Sequence, residues 1–149
     1  MLHALNMTMP LKQDAQSQQK LEALKANFAN GIQQAIAEAL AGSEIVHFAR
    51  VLVIGNKYIQ VLTEFDGDKH EYAVFFFRQL PAVFKAIFEL VEGAPSWDKL
   101  EASEDLFVET AGKFNLRALG TKYDDPDAGW LFSAFGTKTV KDIKEALAK

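Results

Sequence analysis

The stretch IVHFARVLVIGNKYIQVLTEFDGD, residues 45–68, decides the fold. Two runs rich in Val, Ile and Leu flank Gly55 and Asn56, a pair that accepts the positive φ of tight hairpin turns, so the segment reads as an antiparallel β-hairpin. A two-residue turn there predicts His47 opposite Glu64, Val51 opposite Gln60 and Ile45 opposite Asp66. Side chains alternate between faces, so His47, Val51, Gln60, Glu64 and Asp66 fall on one face, and Phe48, Arg50, Leu52, Ile59 and Phe65 on the other. A slip of one residue in the turn would change these pairs. The polar residues His47, Arg50, Glu64 and Asp66 gather at the end of the hairpin away from the turn.

Upstream, apolar Leu21, Leu24, Phe28, Ile32, Ile36 and Leu40 recur every three or four residues, which predicts one long helix from Asp14 to Ala41, ended by Gly42. Before it, LHALNMTMP alternates as a strand that stops at Pro10. Downstream, Asp66 or Asp68 caps a helix, and Asp68 with Glu71 has the spacing of a capping box. That helix carries Tyr72, Phe75, Phe76 and Leu80 and must restart at Pro81, where Val83, Phe84, Ile87, Phe88 and Val91 continue an apolar face towards Gly93. APSWDKLEASED then reads as a linker, SEDLFVETAGKF as a short helix capped by Ser103, and TKYDDPDAG as a polar loop. WLFSAFG, residues 130–136, reads as a final strand, and Thr139 with Asp142 caps a C-terminal helix.

The resulting order is βαββαβ with an inserted helix and a C-terminal helix. It predicts an α+β fold of the ferredoxin-like type, a four-stranded antiparallel sheet with helices on one face, formed as a single domain over 1–149 with an insertion at 94–129. The open face of such a sheet needs cover, which predicts a homodimer.

Composition narrows the function. A chain of 149 residues with 49% hydrophobic and 24% charged residues is that of a globular domain, and its 12 Phe make the core strongly aromatic. Without cysteine, disulfides, thiolate metal sites and Cys nucleophiles are excluded. A net charge of −4 with scattered Lys and Arg provides no basic stripe for nucleic acid. The N-terminus resembles no leader, and the longest apolar run, YAVFFF, is far short of the roughly 20 residues that span a bilayer, so a cytoplasmic protein with no membrane partner is expected. Glycine-rich phosphate cradles and the Gly-x-Ser-x-Gly elbow are absent from the sequence.

The segments NMTMPLK, VHFARVLVI, TEFDGD and FSAFGTKTVKDI resemble, in order along nearly the whole chain, those of small bacterial ferredoxin-like proteins of the dimeric α/β barrel superfamily. The resemblance implies a ferredoxin-like dimer. The wider superfamily includes cofactor-free monooxygenases, haem-degrading enzymes, chlorite dismutases and dye-decolourising peroxidases, so it also implies haem as a candidate cofactor. The peroxidases carry a Gly-x-x-Asp-Gly motif; Asp66-Gly67 matches its end, while Thr63 stands where the first glycine belongs.

Among candidate site residues, His47 with Glu64 is a pairing in which a carboxylate orients an imidazole, as a general base or a haem-ligating histidine requires. Its structural alternative is an ion pair at a dimer interface. Arg50 is a candidate contact for a ligand carboxylate such as a haem propionate, or a partner for a helix end. Asp66 is a candidate catalytic carboxylate, although a capping role accounts for it equally. Asn6 and Ser133 stand on predicted strands where superfamily monooxygenases place polar groups towards their pockets, and Asn6 is retained as a ligand-binding candidate. Trp97 and Trp130 flank the insertion and could wall a pocket. HEYAV, residues 70–74, lacks the second histidine of a zinc motif, and Asp124, Asp125 and Asp127 lack the remaining ligands of a calcium loop, so no metal site is expected. Two readings follow: a homodimeric binding or accessory protein for a small aromatic or carboxylate ligand, or an oxygenase- or peroxidase-like enzyme.

Overall fold

A computed structural model of the chain describes residues 2–122 and 129–149. The aspartates 124, 125 and 127 lie outside the described residues. Three strands, β1 (Leu2–Pro10), β2 (Val46–Ile54) and β3 (Tyr58–Asp66), form one antiparallel sheet in the order β1-β3-β2. The helices are α1 (Ala15–Asn27), α2 (Gln33–Gly42), α3 (Lys69–Gln79), α4 (Pro81–Phe88), α5 (Trp97–Ala102), α6 (Glu104–Lys113) and α7 (Val140–Leu147). Among the described residues no helix is long and apolar enough to cross a membrane.

The sheet buries one face. Leu5, Met7 and Met9 of β1 and Ile59, Val61, Thr63 and Phe65 of β3 alternate inwards. Against them packs an aromatic column in which Phe65 stacks on Tyr72 at 4.1 Å, Tyr72 meets Phe76 edge-on at 4.3 Å, and Phe76 leads to Phe84 at 4.7 Å. Burying such a ring contributes about 1.5–3 kcal/mol, with the edge-on and offset geometries adding about 0.5–1.5 kcal/mol per pair. Phe107 of α6 extends the column, and APSWDKLEASED, read as a plain linker, contains the short helix α5, whose Trp97 and Leu100 are buried beside it.

Among the described residues the four-stranded ferredoxin-like sheet is not formed: the sheet has three strands. Residues 130–136 are irregular and turn instead of strand: Trp130 N donates to Leu119 O at 2.9 Å, and at the far end Phe135 N donates to Ser133 Oγ at 3.1 Å and Gly136 N to Ser133 O at 3.2 Å. The free edge of β1 is met elsewhere, by residues 114–116. Thr8 N donates to Phe114 O and Leu116 N donates to Asn6 O, each at 2.9 Å, around a single bridge between Met7 and Asn115.

The long helix predicted from Asp14 to Ala41 is broken at residues 28–32, where Asn30 and Gly31 leave helical geometry and Gly31 takes φ 131°. Glycine and asparagine are weak helix formers, and only glycine occupies such a φ without penalty. The helix resumes through Gly42 and ends on Ser43, one residue later than predicted. Short-range signals otherwise hold: Asp68 and Ser103 cap α3 and α6, Pro81 opens α4, and Thr139 with Asp142 forms a reciprocal capping box on α7, while Asp14, predicted only as the start of the first helix, caps α1.

Gly55 and Asn56 both take φ 54°, as the turn demands, but Lys57 joins the loop. Ile54 therefore faces Tyr58, Val51 faces Val61 and Ala49 faces Thr63, one residue away from the two-residue register. This puts Ala49, Val51 and Val53 on the core side and leaves Phe48, Arg50, Leu52 and Ile54 outside. A bulge between Val46 and Phe48 then returns Val46 to a position opposite Phe65.

Candidate functional site

Bulge and register together decide which polar groups meet. Because the register shifts, Arg50 lies on the same face as Glu64, where a two-residue turn would have separated them. Because a bulge re-aims the side chain it carries, His47 meets Asp66 rather than Glu64: His47 Nε2 lies 2.9 Å from Asp66 Oδ1, both side chains about nine-tenths buried. The predicted pairing of His47 with Glu64 gives way to two adjacent pairs, His47 with Asp66 and Arg50 with Glu64.

Asp66 does not cap α3; Asp68 does, accepting from Glu71 N at 2.7 Å. The second oxygen of Asp66 accepts from Val140 N at 2.7 Å, at the first turn of α7. A carboxylate at a helix N-terminus is favoured both by the open N–H groups and by the helix dipole. Lys144 anchors the same helix by donating to Ala41 O at 3.0 Å and Ser43 O at 2.6 Å. Asp66 thus joins the bulged strand to the C-terminal helix, with both oxygens used.

Glu64 has the opposite character. Its Oε1 is 3.9 Å from Arg50 Nη1, a loose pairing, and its Oε2 is buried without a hydrogen-bond partner. Burial raises its pKa above the usual glutamate value, and the charges of Arg50 and His47 pull it only partly back. Beside it opens a cavity of about 450 Å³, walled by Leu2, His47, Phe48 and Arg50 on one side and by the irregular segment 131–135 on the other. Phe132 and Phe135 of that segment are largely exposed, and Ser133 also lines the space. Reading 130–136 as a strand concealed this wall, although the pairing of Ser133 and Gly136 two turn residues apart was the available signal.

On the core side of the sheet, Tyr72 Oη and Thr63 Oγ1 are both buried, and neither completes a hydrogen bond of standard geometry. Burial pushes the phenol of Tyr72 upward, the nearby Thr63 hydroxyl draws it partly down, and the Glu64 carboxylate raises it further. Tyr72 therefore stays neutral and acts as core.

Asn6 stands apart from this cluster. Its side-chain amide donates to Leu116 O at 3.0 Å and its backbone N–H to Asn115 Oδ1 at 2.6 Å, which fixes the segment at the edge of β1. Trp97 is buried against Phe107, and Trp130 is partly exposed beside Leu2 and Lys122. Among the described residues no three His, Asp or Glu side chains converge as a metal site. The cavity offers haem no open axial histidine, because the His47 side chain is about nine-tenths buried.

The raised pKa of Glu64 sets a pH dependence. The folded state holds this proton more tightly than the unfolded chain, so the stabilisation it confers is complete below the ordinary glutamate value of 4.5 and is lost as pH rises through the elevated folded value. Glu64→Gln should accordingly be as stable as the natural protein near pH 4 and more stable at pH 7. Urea midpoints from pH 4 to 8 check this, and midpoints that fall below those of the natural protein at pH 7 would contradict it.

No protein-family model, curated protein or solved structure matches the chain, and the superfamily implied by its short motifs gains no support from these comparisons.

Proposed function

We propose that the protein is a small-molecule binding protein whose ligand occupies the cavity between the open end of the hairpin and residues 131–135. The carrying observation is the partly exposed Glu64 side chain at its wall, whose Oε1 is paired only loosely with Arg50, at 3.9 Å. A ligand N–H or O–H can donate to this carboxylate in a charge-assisted hydrogen bond. Phe48, Phe132 and Phe135 favour an aromatic body, so the ligand class is a small aromatic molecule bearing a donor group. Binding without chemistry is favoured over catalysis because the His47 side chain that would serve as base is about nine-tenths buried, which leaves little of it within reach of a substrate.

Tryptamine, phenol and toluene test this as probes. The two donor-bearing compounds should raise the melting temperature of the natural protein, toluene less, and Glu64→Leu should abolish the difference. Equal responses to all three, or a response unchanged in Glu64→Leu, would overturn the reading.

A second reading concerns assembly, and a separate observation favours it. The outer face of the hairpin carries Phe48, Leu52 and Ile54 of β2 and Tyr58 of β3, between 41% and 68% exposed, and among the described residues β2 pairs with β3 alone. An apolar row of that kind on an edge strand marks an interaction surface, and a second copy of the chain, related by a two-fold axis, covers it with the same residues. Sedimentation should show a dimer at micromolar concentration that Leu52→Glu with Ile54→Lys converts to a folded monomer. A monomer at all concentrations in the natural protein would refute it.

A further inference from the structure

We infer that Asn30 is a self-modification site, at which the chain converts its own asparagine into aspartate and isoaspartate through a succinimide. The sequence supplies the reacting pair, Asn30 followed by Gly31 in the segment FANGI, residues 28–32. Ring closure requires the backbone nitrogen after the asparagine to reach the side-chain carboxamide, and a side chain on that next residue obstructs the approach. Glycine has none. The other asparagines, Asn6, Asn27, Asn56 and Asn115, are followed by Met7, Phe28, Lys57 and Leu116, each with a long or bulky side chain.

The break in the helix removes the protection that regular structure would give. A continuous helix holds ψ near about −42° and ties each backbone N–H to the carbonyl four residues back, and both keep the nucleophile from the carboxamide. Asn30 instead has φ −104° and ψ 58°, and Gly31 has φ 131° and ψ −54°, so both reacting residues have left helical geometry. Both are exposed, which admits the water that the reaction uses. Apart from its chain neighbours, nothing lies within 4 Å of the position a Cβ would take on Gly31, so the backbone has room to turn. The remaining carboxamides are held in place: Asn27 Nδ2 donates to Ala23 O at 2.9 Å, Asn56 Nδ2 to Glu22 Oε1 at 3.0 Å and Asn6 Nδ2 to Leu116 O at 3.0 Å, and Asn115 Oδ1 accepts from Asn6 N at 2.6 Å.

The reaction balances with water as its one co-reactant, and nothing is oxidised or reduced. The Gly31 N–H gives up its proton, the nitrogen attacks Cγ of Asn30, and the Cγ–Nδ2 bond breaks as the amide nitrogen takes up a proton and leaves as ammonia. One water then opens the ring. Cleavage of the new Cγ–N bond leaves aspartate. Cleavage of the original peptide bond leaves isoaspartate, in which the main chain runs through the former side chain and is longer by a methylene. Either product places a new negative charge between α1 and α2, and isoaspartate also alters the path of the chain that links them.

Incubation of the full chain at pH 8 for several weeks, followed by tryptic peptide mapping in a mass spectrometer, tests the inference. Trypsin releases residues 26–50, a single peptide that carries both Asn27 and Asn30, and fragmentation assigns the mass gain to one or the other. Asn30 should deamidate at least tenfold faster than Asn27 and Asn56. Its rate in the folded protein should lie within severalfold of its rate in the same chain unfolded in urea, because the fold does not shield it. Isoaspartate should be the major product, and the rate should rise with pH, since the attacking nitrogen is deprotonated. Asn30→Gln, whose longer side chain closes a ring far more slowly, should remove the mass gain from this peptide at an unchanged melting temperature. A folded-state rate tenfold or more below the rate in urea, equal rates at Asn30 and Asn27, or aspartate formed without isoaspartate would each overturn the inference.

Discussion

Asp66→Ala should destabilise the protein by about 3–5 kcal/mol, the cost of removing one partner of a buried, hydrogen-bonded pair. Asp66 is 8% exposed, and loss of its carboxylate leaves His47 Nε2 and Val140 N without their acceptor in the same step. Typical domains are stable by only about 5–15 kcal/mol, so this is a large share of the total. Urea denaturation measures it as a lower midpoint with an unchanged slope, and hydrogen exchange should show the amides of α7 (Val140–Leu147) losing protection before those of β3. Asp66→Asn keeps one oxygen for Val140 and should lose less, about 1–2 kcal/mol. Equal losses in the two variants would mean that the charge on Asp66, and not its geometry as a double acceptor, holds α7.

Phe107→Ala should cost a comparable 3–5 kcal/mol by a different mechanism, the lost transfer energy of the ring and the cavity left behind. Phe107 is fully buried where four rings converge, Phe77 at 5.3 Å, Phe84 and Phe88 at 5.7 Å and Trp97 at 6.4 Å. The variant should also loosen α5, read as a red shift of Trp97 fluorescence in a Trp130→Phe background. Phe135→Ala, where the ring is 61% exposed, should stay within about 0.5 kcal/mol. A small effect at Phe107 would show that α5 and α6 contribute little to the common core.

The two outcomes bear on how the cavity beside Glu64 is held. Its inner wall belongs to the sheet, and its outer wall, residues 131–135, leads directly into α7. Loss of the Asp66 contact should therefore impair binding of the aromatic probes before it unfolds the core, whereas loss of Phe107 should act on global stability first.

The sequence by itself determined the elements whose causes are local. The caps at Asp14, Asp68, Ser103 and Thr139, the restart at Pro81, the positive-φ turn at Gly55 and Asn56, and the clustering of His47, Arg50, Glu64 and Asp66 at one end of the hairpin all follow from neighbours within a few residues. Tertiary structure decided the rest. Whether Lys57 belongs to strand or loop is a difference of one residue in local propensity, yet with the bulge at His47 it assigns Arg50 to the face of Glu64 and His47 to Asp66. WLFSAFG has the composition of a strand, but residues 114–116 bond to the edge of β1, and the segment's backbone pairs with Leu119 at Trp130 and within its own turn at Phe135 and Gly136. Register and strand pairing depend on which distant backbone arrives at an edge, a competition between hydrogen bonds of nearly equal strength that no window of neighbouring residues contains.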